Sequence, residues 1–363
     1  MNLKDIVSHL ENANPAAYAE SYDNTGLLVK GNEKVTGILV SLDCTEALIE
    51  EAISRNCNFI VCHHPIIFKG IKKLTGAHYV ERTVMSAIRN NISIFAVHTN
   101  LDNRHDGVSK ILSNKLGITD TQVLSPQTGN LYKLQTFVPV NHTEKVSNAL
   151  FEAGAGKIGK YSECSFSVEG KGTFRGNETS QPYVGNPGER HQEAENKLEV
   201  VFPRHLLYRI TVALQNAHPY EEVAYDIIPL TNSHPEIGAG TIGILPQPVD
   251  SIEFLKHVKE QLKTGCIRYS QLCKPLIQKV AVCGGSGSFL LSDAIRAGAD
   301  ILITADITYH HFFDADGKII LADVGHFESE QFAKDLLADE IQKKFPTFAV
   351  LISNTNTNSV NYI

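Results

Sequence analysis

The chain has 363 residues, of which 42% are hydrophobic, and a formal net charge of −7. That length exceeds one ordinary domain and allows two or three cores, while the acidic balance and the lack of a basic tract remove the electrostatic footprint of a nucleic-acid surface, so nucleic acid is not an expected partner. No apolar run approaches membrane-spanning length, the stretch 3–10 is too polar for a signal peptide, and the seven cysteines (44, 57, 62, 164, 266, 273 and 283) form no Cys-x-x-Cys pair, which together predict a cytoplasmic protein with reduced thiols and no membrane partner.

Apolar runs alternate with helical stretches from the start. A strand over 35–42, a helix over 46–55, a strand over 58–62, a helix over 79–89 and a strand over 92–97 predict a largely parallel or mixed sheet with crossover helices. From residue 131 the texture changes: a strand over 131–139, a helix over 142–153, a glycine- and polar-rich stretch over 170–195, a strand over 198–202, a helix over 204–217 and a strand over 223–229. The order β, α, β, β, α, β is that of a ferredoxin-like module. The polar stretch, with five glycines, is expected to be mobile and to serve as a lid or partner-binding loop. After Gly240 the first pattern resumes, with strands near 241–245, 280–283, 300–304, 319–322 and 347–352. The chain therefore reads as an α/β core in two parts, 1–128 and 238–363, interrupted by an inserted domain at 129–237. A helix precedes both the 58–62 and the 300–304 strands, at 51–55 and 293–297, which leaves internal duplication open.

The chemistry gathers at strand ends. The pair His63-His64 closes the apolar run 58–62 and is followed by Pro65. Neighbouring residues of a regular strand point to opposite faces, so two ions close together suit this pair better than one. The run 93–97 ends in His98-Thr99-Asn100-Leu101-Asp102, and the run 319–322 leads through Asp323-Val324-Gly325 to His326 and a helix carrying Glu328 and Glu330. His326 and Glu330 are four apart, which places both side chains on one helix face. Each segment alone is explained as well by ordinary hydrogen bonding; all three fit the strand-end rim of one α/β fold and predict a metal site. Asp102 or Glu330 is suited to bridge two ions, since a carboxylate has two oxygens to offer. His98 can orient a ligand, shuttle a proton, or make a hydrogen bond behind the site. Cys62 is either a soft ligand or packed core. The turn Gly284-Gly285-Ser286-Gly287 follows the 280–283 strand and is either a backbone cradle for a phosphate or a plain tight turn, because no P-loop lysine follows it.

The stretches Glu20-Ser21-Tyr22-Asp23-Asn24-Thr25-Gly26-Leu27, Ser41-Leu42-Asp43, His63-His64-Pro65, His98-Thr99-Asn100-Leu101-Asp102 and Gly325-His326-Phe327-Glu328-Ser329-Glu330 resemble the successive signatures of the NIF-three-like family, often labelled GTP cyclohydrolase I type 2 homologs. The resemblance covers roughly residues 1–125 and 240–363. It implies a two-lobed core with mixed sheets, and a dinuclear centre held by His63, His64, Asp102, His326 and Glu330. It also implies a Tyr-His pair facing the metal pocket, so that Tyr309 and His310 join His98 and Glu330 as candidate catalytic groups. The middle region resembles the CutA-like or PII-like insertion of the family's longer members, whose corresponding turn is similar to His218-Pro219-Tyr220-Glu221-Glu222. A ring-like homohexamer is implied as well. The family label implies GTP cyclohydrolase chemistry, in which water attacks C8 of the purine, opens the imidazole ring and releases formate. The expected function is hydrolysis of a small phosphorylated or nucleotide-like molecule, GTP among them, with two divalent ions; zinc is the first choice, and iron, manganese and nickel also suit the ligands. The alternative is a non-catalytic metal-binding regulator whose insertion senses a metabolite or a partner.

Overall fold

Short runs that are apolar at every position become strands covered on both faces. β1 (Gly26–Val29) begins a mixed sheet with β2 (Ile38–Ser41), β3 (Phe59–Cys62) and β4 (Ser93–Ala96), and the last three are buried along their whole length. β2, β3 and β4 run parallel in register Val40↔Val61↔Phe95, while β1 lies antiparallel against β4. The crossovers are the helices Glu46–Ser54 and Tyr79–Arg89. The first is capped by Thr45, whose hydroxyl accepts from Leu48 N at 3.3 Å, and it sinks Leu48, Ile49 and Ala52 into the sheet. Each such Leu or Ile contributes about 1.5–3 kcal/mol by leaving water.

The chain then forms β5 (Thr119–Thr128), and next the middle unit with β6 (Leu131–Pro139), β7 (Ser165–Phe174), β8 (His191–Pro203) and β9 (Tyr225–Leu230). It returns through β10 (Ser233–Asp250), β11 (Arg268–Tyr269), β12 (Leu276–Ser286), β13 (Ile301–Ala305) and β14 (Ile320–Asp323), and ends with β15 (Val350–Ile352) parallel to β2. The second core sheet has the order β11-β14-β13-β12-β10-β5, with β12, β13 and β14 parallel.

The two core sheets repeat one plan. β1 precedes three parallel strands and lies antiparallel to the last of them, β4; β11 precedes β12, β13 and β14 and lies antiparallel to β14. The helices Glu46–Ser54 and Leu291–Arg296 lead into the middle strands of the two triplets. The short echo at 51–55 and 293–297 is therefore part of a shared four-strand topology.

The structure, a computed structural model, describes residues 1–363 and divides into two compact units, 1–126 with 236–363, and 127–235. The middle unit is a four-stranded antiparallel sheet, β7-β8-β6-β9, with the helices Thr143–Glu152 and Leu207–Ala217 on one face. Leu134, Val138, Leu198, Val200 and Phe202 meet Leu150, Ile210 and Leu214 in its core. The stretch 170–195 differs from the polar loop expected: all ten residues of β7 pair with β8, which leaves only 175–190 as the connection. β7 is an edge strand that buries almost nothing, so it carries no apolar alternation to betray it. No helix of the chain is long and apolar enough to cross a membrane.

Candidate metal centre

The carboxyl ends of the parallel strands of both core sheets supply the site, in keeping with the general habit of α/β folds. Asp43 follows β2, His63-His64 follow β3, His98 and Asp102 follow β4, Asp306 follows β13, and His326 with Glu330 follow β14. The histidine pair escapes strand alternation. The backbone N–H groups of His63 and His64 both donate toward the β2 side, to Ser41 O at 3.2 Å and Leu42 O at 2.9 Å. A regular strand would send successive N–H groups to opposite neighbours. This local irregularity swings both rings to one end, with centroids 5.0 Å apart.

Four imidazoles are oriented in the same way. Nδ1 of His63 donates to Val97 O at 2.8 Å, that of His64 to Asp43 Oδ1 at 2.7 Å, that of His98 to Asp23 Oδ1 at 2.8 Å, and that of His326 to Asp306 Oδ2 at 2.7 Å. A carbonyl or carboxylate only accepts, so each Nδ1 carries the hydrogen, and each neutral ring keeps its lone pair on Nε2. Those Nε2 atoms converge. His64 Nε2 and His326 Nε2 stand 3.3 Å apart, and Glu330 Oε2 lies 2.9 Å from the first and 3.0 Å from the second. Glu330 Oε1 faces the other way, 3.9 Å from His63 Nε2, which is itself 3.5 Å from Asp102 Oδ1.

Three groups of ligand atoms have the compactness a metal ion requires: His63, Asp102 and Glu330; His64, His326 and Glu330; and His63, His64 and His98. The fit of a cation rests on two orphans, since His63 Nε2 and Asp102 Oδ1 are buried with no hydrogen-bond partner. A buried donor set left unsatisfied by protein is costly unless a ligand completes it. The electrostatics agree. Burial opposes a charged His64, yet Asp43 and Glu330 outweigh it and raise its pKa to about 10; burial likewise opposes His326, which Glu330 and Asp306 raise to about 9. A field that holds protons on these rings also attracts a metal cation. Burial, with Glu330 adding to it and His63 opposing, lifts Asp102 to about 6.

The glycine turn has a different use from a phosphate cradle. Its N–H groups are taken internally: Gly285 N donates to Ser329 Oγ at 3.0 Å and Gly287 N to Thr304 Oγ1 at 2.8 Å. The side chain of Ser286 donates to Asp306. Gly285, at φ +60°, has no room for a side chain, since a Cβ there would stand 2.3 Å from Glu330 Oε1, and one on Gly284 would stand 2.7 Å from Val108. The turn makes space for the shared carboxylate.

The structure brings together His63, His64, His98, Asp102, His326 and Glu330, and leaves two candidates outside. Tyr309 is 71% exposed, and Tyr309 and His310 pack on each other and on Phe313 at the turn before the helix His311–Asp314. Cys62 is fully buried, its Sγ directed at Phe95 O, and belongs to the core. Sequence reasoning gave no role to Asp23, Asp43 or Asp306. The signal was available in part, because a carboxylate just past a strand end is well placed to hold an imidazole arriving from the neighbouring strand. Beside His64 and His326 opens a cavity of about 640 Å3 lined by Asp43, Arg268, Glu328, Thr357, Asn358 and Tyr362.

Fold and site together define an α/β protein with a histidine–carboxylate cluster at the meeting of two sheets. Residues 1–359 match the Duf34/NIF3 (NGG1p interacting factor 3) family, and the chain belongs to it. A relative from Halalkalibacterium halodurans named GTP cyclohydrolase 1 type 2 homolog is 36% identical, with 100% of this chain and 99% of the relative covered. Among solved structures, a Bacillus cereus protein related to NIF3 superposes with a TM-score of 0.86 at 34% identity, covering 100% of this chain and 99% of its own. The Staphylococcus aureus protein SA1388 gives a TM-score of 0.78 at 29% identity, covering 100% and 99%.

Proposed function

We propose that this protein is a dinuclear metal-dependent hydrolase of a small phosphorylated or nucleotide-like substrate. The observation that carries the reading is the position of Glu330, whose two oxygens face two different ligand groups: Oε1 toward His63 and Asp102, Oε2 toward His64 and His326. His63, Asp102 and Glu330 would hold one divalent ion, His64, His326 and Glu330 the other, with His98 beside both histidines of the pair. Ions bound there would supply Lewis-acid polarisation of a substrate oxygen and a nucleophilic water at neutral pH. Zinc suits the donor set first, and iron, manganese or nickel are compatible with it.

The protein's own groups have separable tasks in this reading. Asp43, Asp306, Asp23 and the carbonyl of Val97 fix the imidazoles so that no reorganisation is needed when charge develops. The segment after the histidine pair supports an anionic substrate: Lys69, Lys72 and Lys73 line a hollow of about 510 Å3 with Phe68, whose ring lies 6.2 Å from that of His98 and 6.3 Å from that of Tyr22. Phosphate on the lysines with a planar base near Tyr22 and Phe68 is the arrangement this supports. GTP is the first substrate to try, on the strength of the relatives' name. We assign the middle unit to the CutA-like insertion of the long members, and self-assembly to a ring-like homohexamer.

The test is metal content followed by release of formate or phosphate from GTP and a panel of nucleotides, by metal-loaded and by chelated protein. Turnover only in the loaded sample supports the hydrolase. No metal-dependent turnover across the panel, with metals bound, gives the lead to a non-catalytic regulator. Light scattering that finds a monomer at micromolar concentration overturns the hexamer.

A further inference from the structure

The middle unit contains a second cavity, of about 700 Å3, far from any ligand of the metal cluster in sequence. It lies on the open face of the four-stranded sheet. Val168, Gly170 and Gly172 of β7 pair with Lys197, Glu195 and Glu193 of β8, and Pro139 and Phe137 of β6 pair with Glu195 and Lys197, so these residues share one face. The segment 175–190 folds back over it. Gln181 N donates to Glu221 Oε2 at 2.8 Å, and the Tyr183 hydroxyl and His142 Nε2 are 2.8 Å apart.

Three rings and one carboxylate define its chemistry. Phe174 and Tyr183 flank Tyr220 with centroid separations of 6.0 and 6.2 Å. Glu195, only 7% exposed, lies among the lining residues, and its Oε1 accepts from the Tyr220 hydroxyl at 2.7 Å. No basic side chain forms an ion pair with it, and the nearby His218 spends its Nε2 hydrogen on Phe137 O at 3.0 Å. The nearest candidates on the same face are engaged elsewhere: Lys197 with Glu199 at 2.7 Å and His191 with Glu193 at 3.0 Å. The opposing strand gives the carboxylate room, because a Cβ on Gly172 would stand 1.9 Å from Glu195 Oε2. A carboxylate this buried is held at a cost that a bound counter-charge removes. Aromatic faces around such a carboxylate favour an organic cation.

We propose that this cavity is a binding site for a small organic cation bearing N–H donors, a guanidinium or primary ammonium group, with Glu195 receiving the charge and Tyr220, Tyr183 and Phe174 enclosing the carbon skeleton. Hydrogen-bond acceptance by Glu195 selects N–H cations over fully methylated ones. The exposed Arg175, which also lines the cavity, is placed to receive an anionic group on the far end of a larger ligand.

The experiment uses the full chain with its metals and isothermal titration with methylguanidinium, ethylammonium and tetramethylammonium chlorides. One saturable site per chain is expected for the first two, with Kd about 1 mM or tighter, and weaker binding for the third. Glu195→Gln should weaken methylguanidinium at least about tenfold by removing the charge, and Tyr220→Leu about threefold to thirtyfold. Gly172→Ala should weaken it about tenfold by crowding the carboxylate, and it serves as a second variant should Glu195→Gln misfold. Unchanged melting temperature and metal content certify each variant. Absence of saturable binding by either N–H cation, equal affinity in Gly172→Ala and the parent, or tighter binding of tetramethylammonium overturns the proposal.

Discussion

Asp102 and Glu330 occupy equivalent places in the two halves of the core: each lies four residues after a histidine that follows the last of three parallel strands, His98 after β4 and His326 after β14. Their surroundings then diverge. Asp102 belongs to one compact ligand group and Glu330 to two. On the two-ion centre proposed above, Asp102→Ala should cut the bound metal to about one ion per chain, while Glu330→Ala should bring it close to none. Elemental analysis of both variants decides this, and equal stoichiometry in the two would remove Glu330 as the shared ligand.

Asp43 and Asp306 touch imidazole Nδ1 atoms rather than the ligand-facing side. Asp43→Asn and Asp306→Asn preserve shape but remove the charge that sets ring basicity. Metal affinity should drop about 10- to 100-fold with little change in melting temperature of the chelated protein. Competition against a chromogenic chelator reads the affinity, and an unshifted curve would leave these aspartates a purely structural part.

Gly285 combines a left-handed backbone at φ +60° with a Cβ position 2.3 Å from Glu330 Oε1. Gly285→Ala should cost about 1–2 kcal/mol from the backbone alone and displace the carboxylate besides. Denaturant titration and metal analysis should both move. A loss of stability with full metal occupancy would show that Glu330 adapts.

Glu51 fastens the C-terminal segment through Ser353 Oγ at 2.6 Å, Asn354 N at 3.0 Å, and Thr355 N and Oγ1 at 3.1 and 2.6 Å. The same segment supplies Thr357, Asn358 and Tyr362 to the cavity beside His326. Burial works against the Glu51 charge, but the hydrogen bonds from Ser353, Thr355, Asn354 and Arg55 outweigh it and hold the carboxyl at about 2, below its ordinary 4.5. The folded value is the lower one, so the stabilisation is complete above about pH 4.5 and is lost as pH falls toward 2. Glu51→Gln should cost about 1–2 kcal/mol at pH 7 after allowance for solvent screening, and the gap from the parent should close by about pH 2. Melting curves across that range measure it; a gap that widens in acid would assign the anchor to some other group.

None of the six clustered residues lies between 127 and 235. A chain joining Pro126 to Glu236 through a short flexible linker should remain soluble and bind the same number of metal ions as the parent. Metal analysis with thermal melting checks this. An insoluble or metal-free product would make the middle unit part of the folding core.

The core strands were legible because β2, β3 and β4 are four-residue runs buried at every position, and little else in a sequence looks like that. The clustering of the histidines and carboxylates was legible for the related reason that polar residues directly after such runs have one rim to share. What stayed hidden depended on backbone detail. No pattern of residue types shows that His63 N and His64 N turn to the same neighbour, or that the glycine turn at 284–287 spends its N–H groups on Ser329 and Thr304. Tyr309 and His310 were placed by likeness to a motif; both are exposed and belong to none of the compact ligand groups. The position of β7 escaped notice because an exposed edge strand is held by backbone pairing, which leaves no trace in hydropathy.

His64 and Glu330 meet at 2.9 Å across 266 positions of chain. During synthesis, the first half of the site emerges long before its complement and must wait while the whole middle unit is made. His63, His64, His98 and Asp102 all stand in that first half, but both ligand groups that contain Glu330 stay incomplete until the second sheet is in place. Neither of those groups can close around a cation before the two sheets dock, so whatever the site binds is chosen by the finished core and not by its first half.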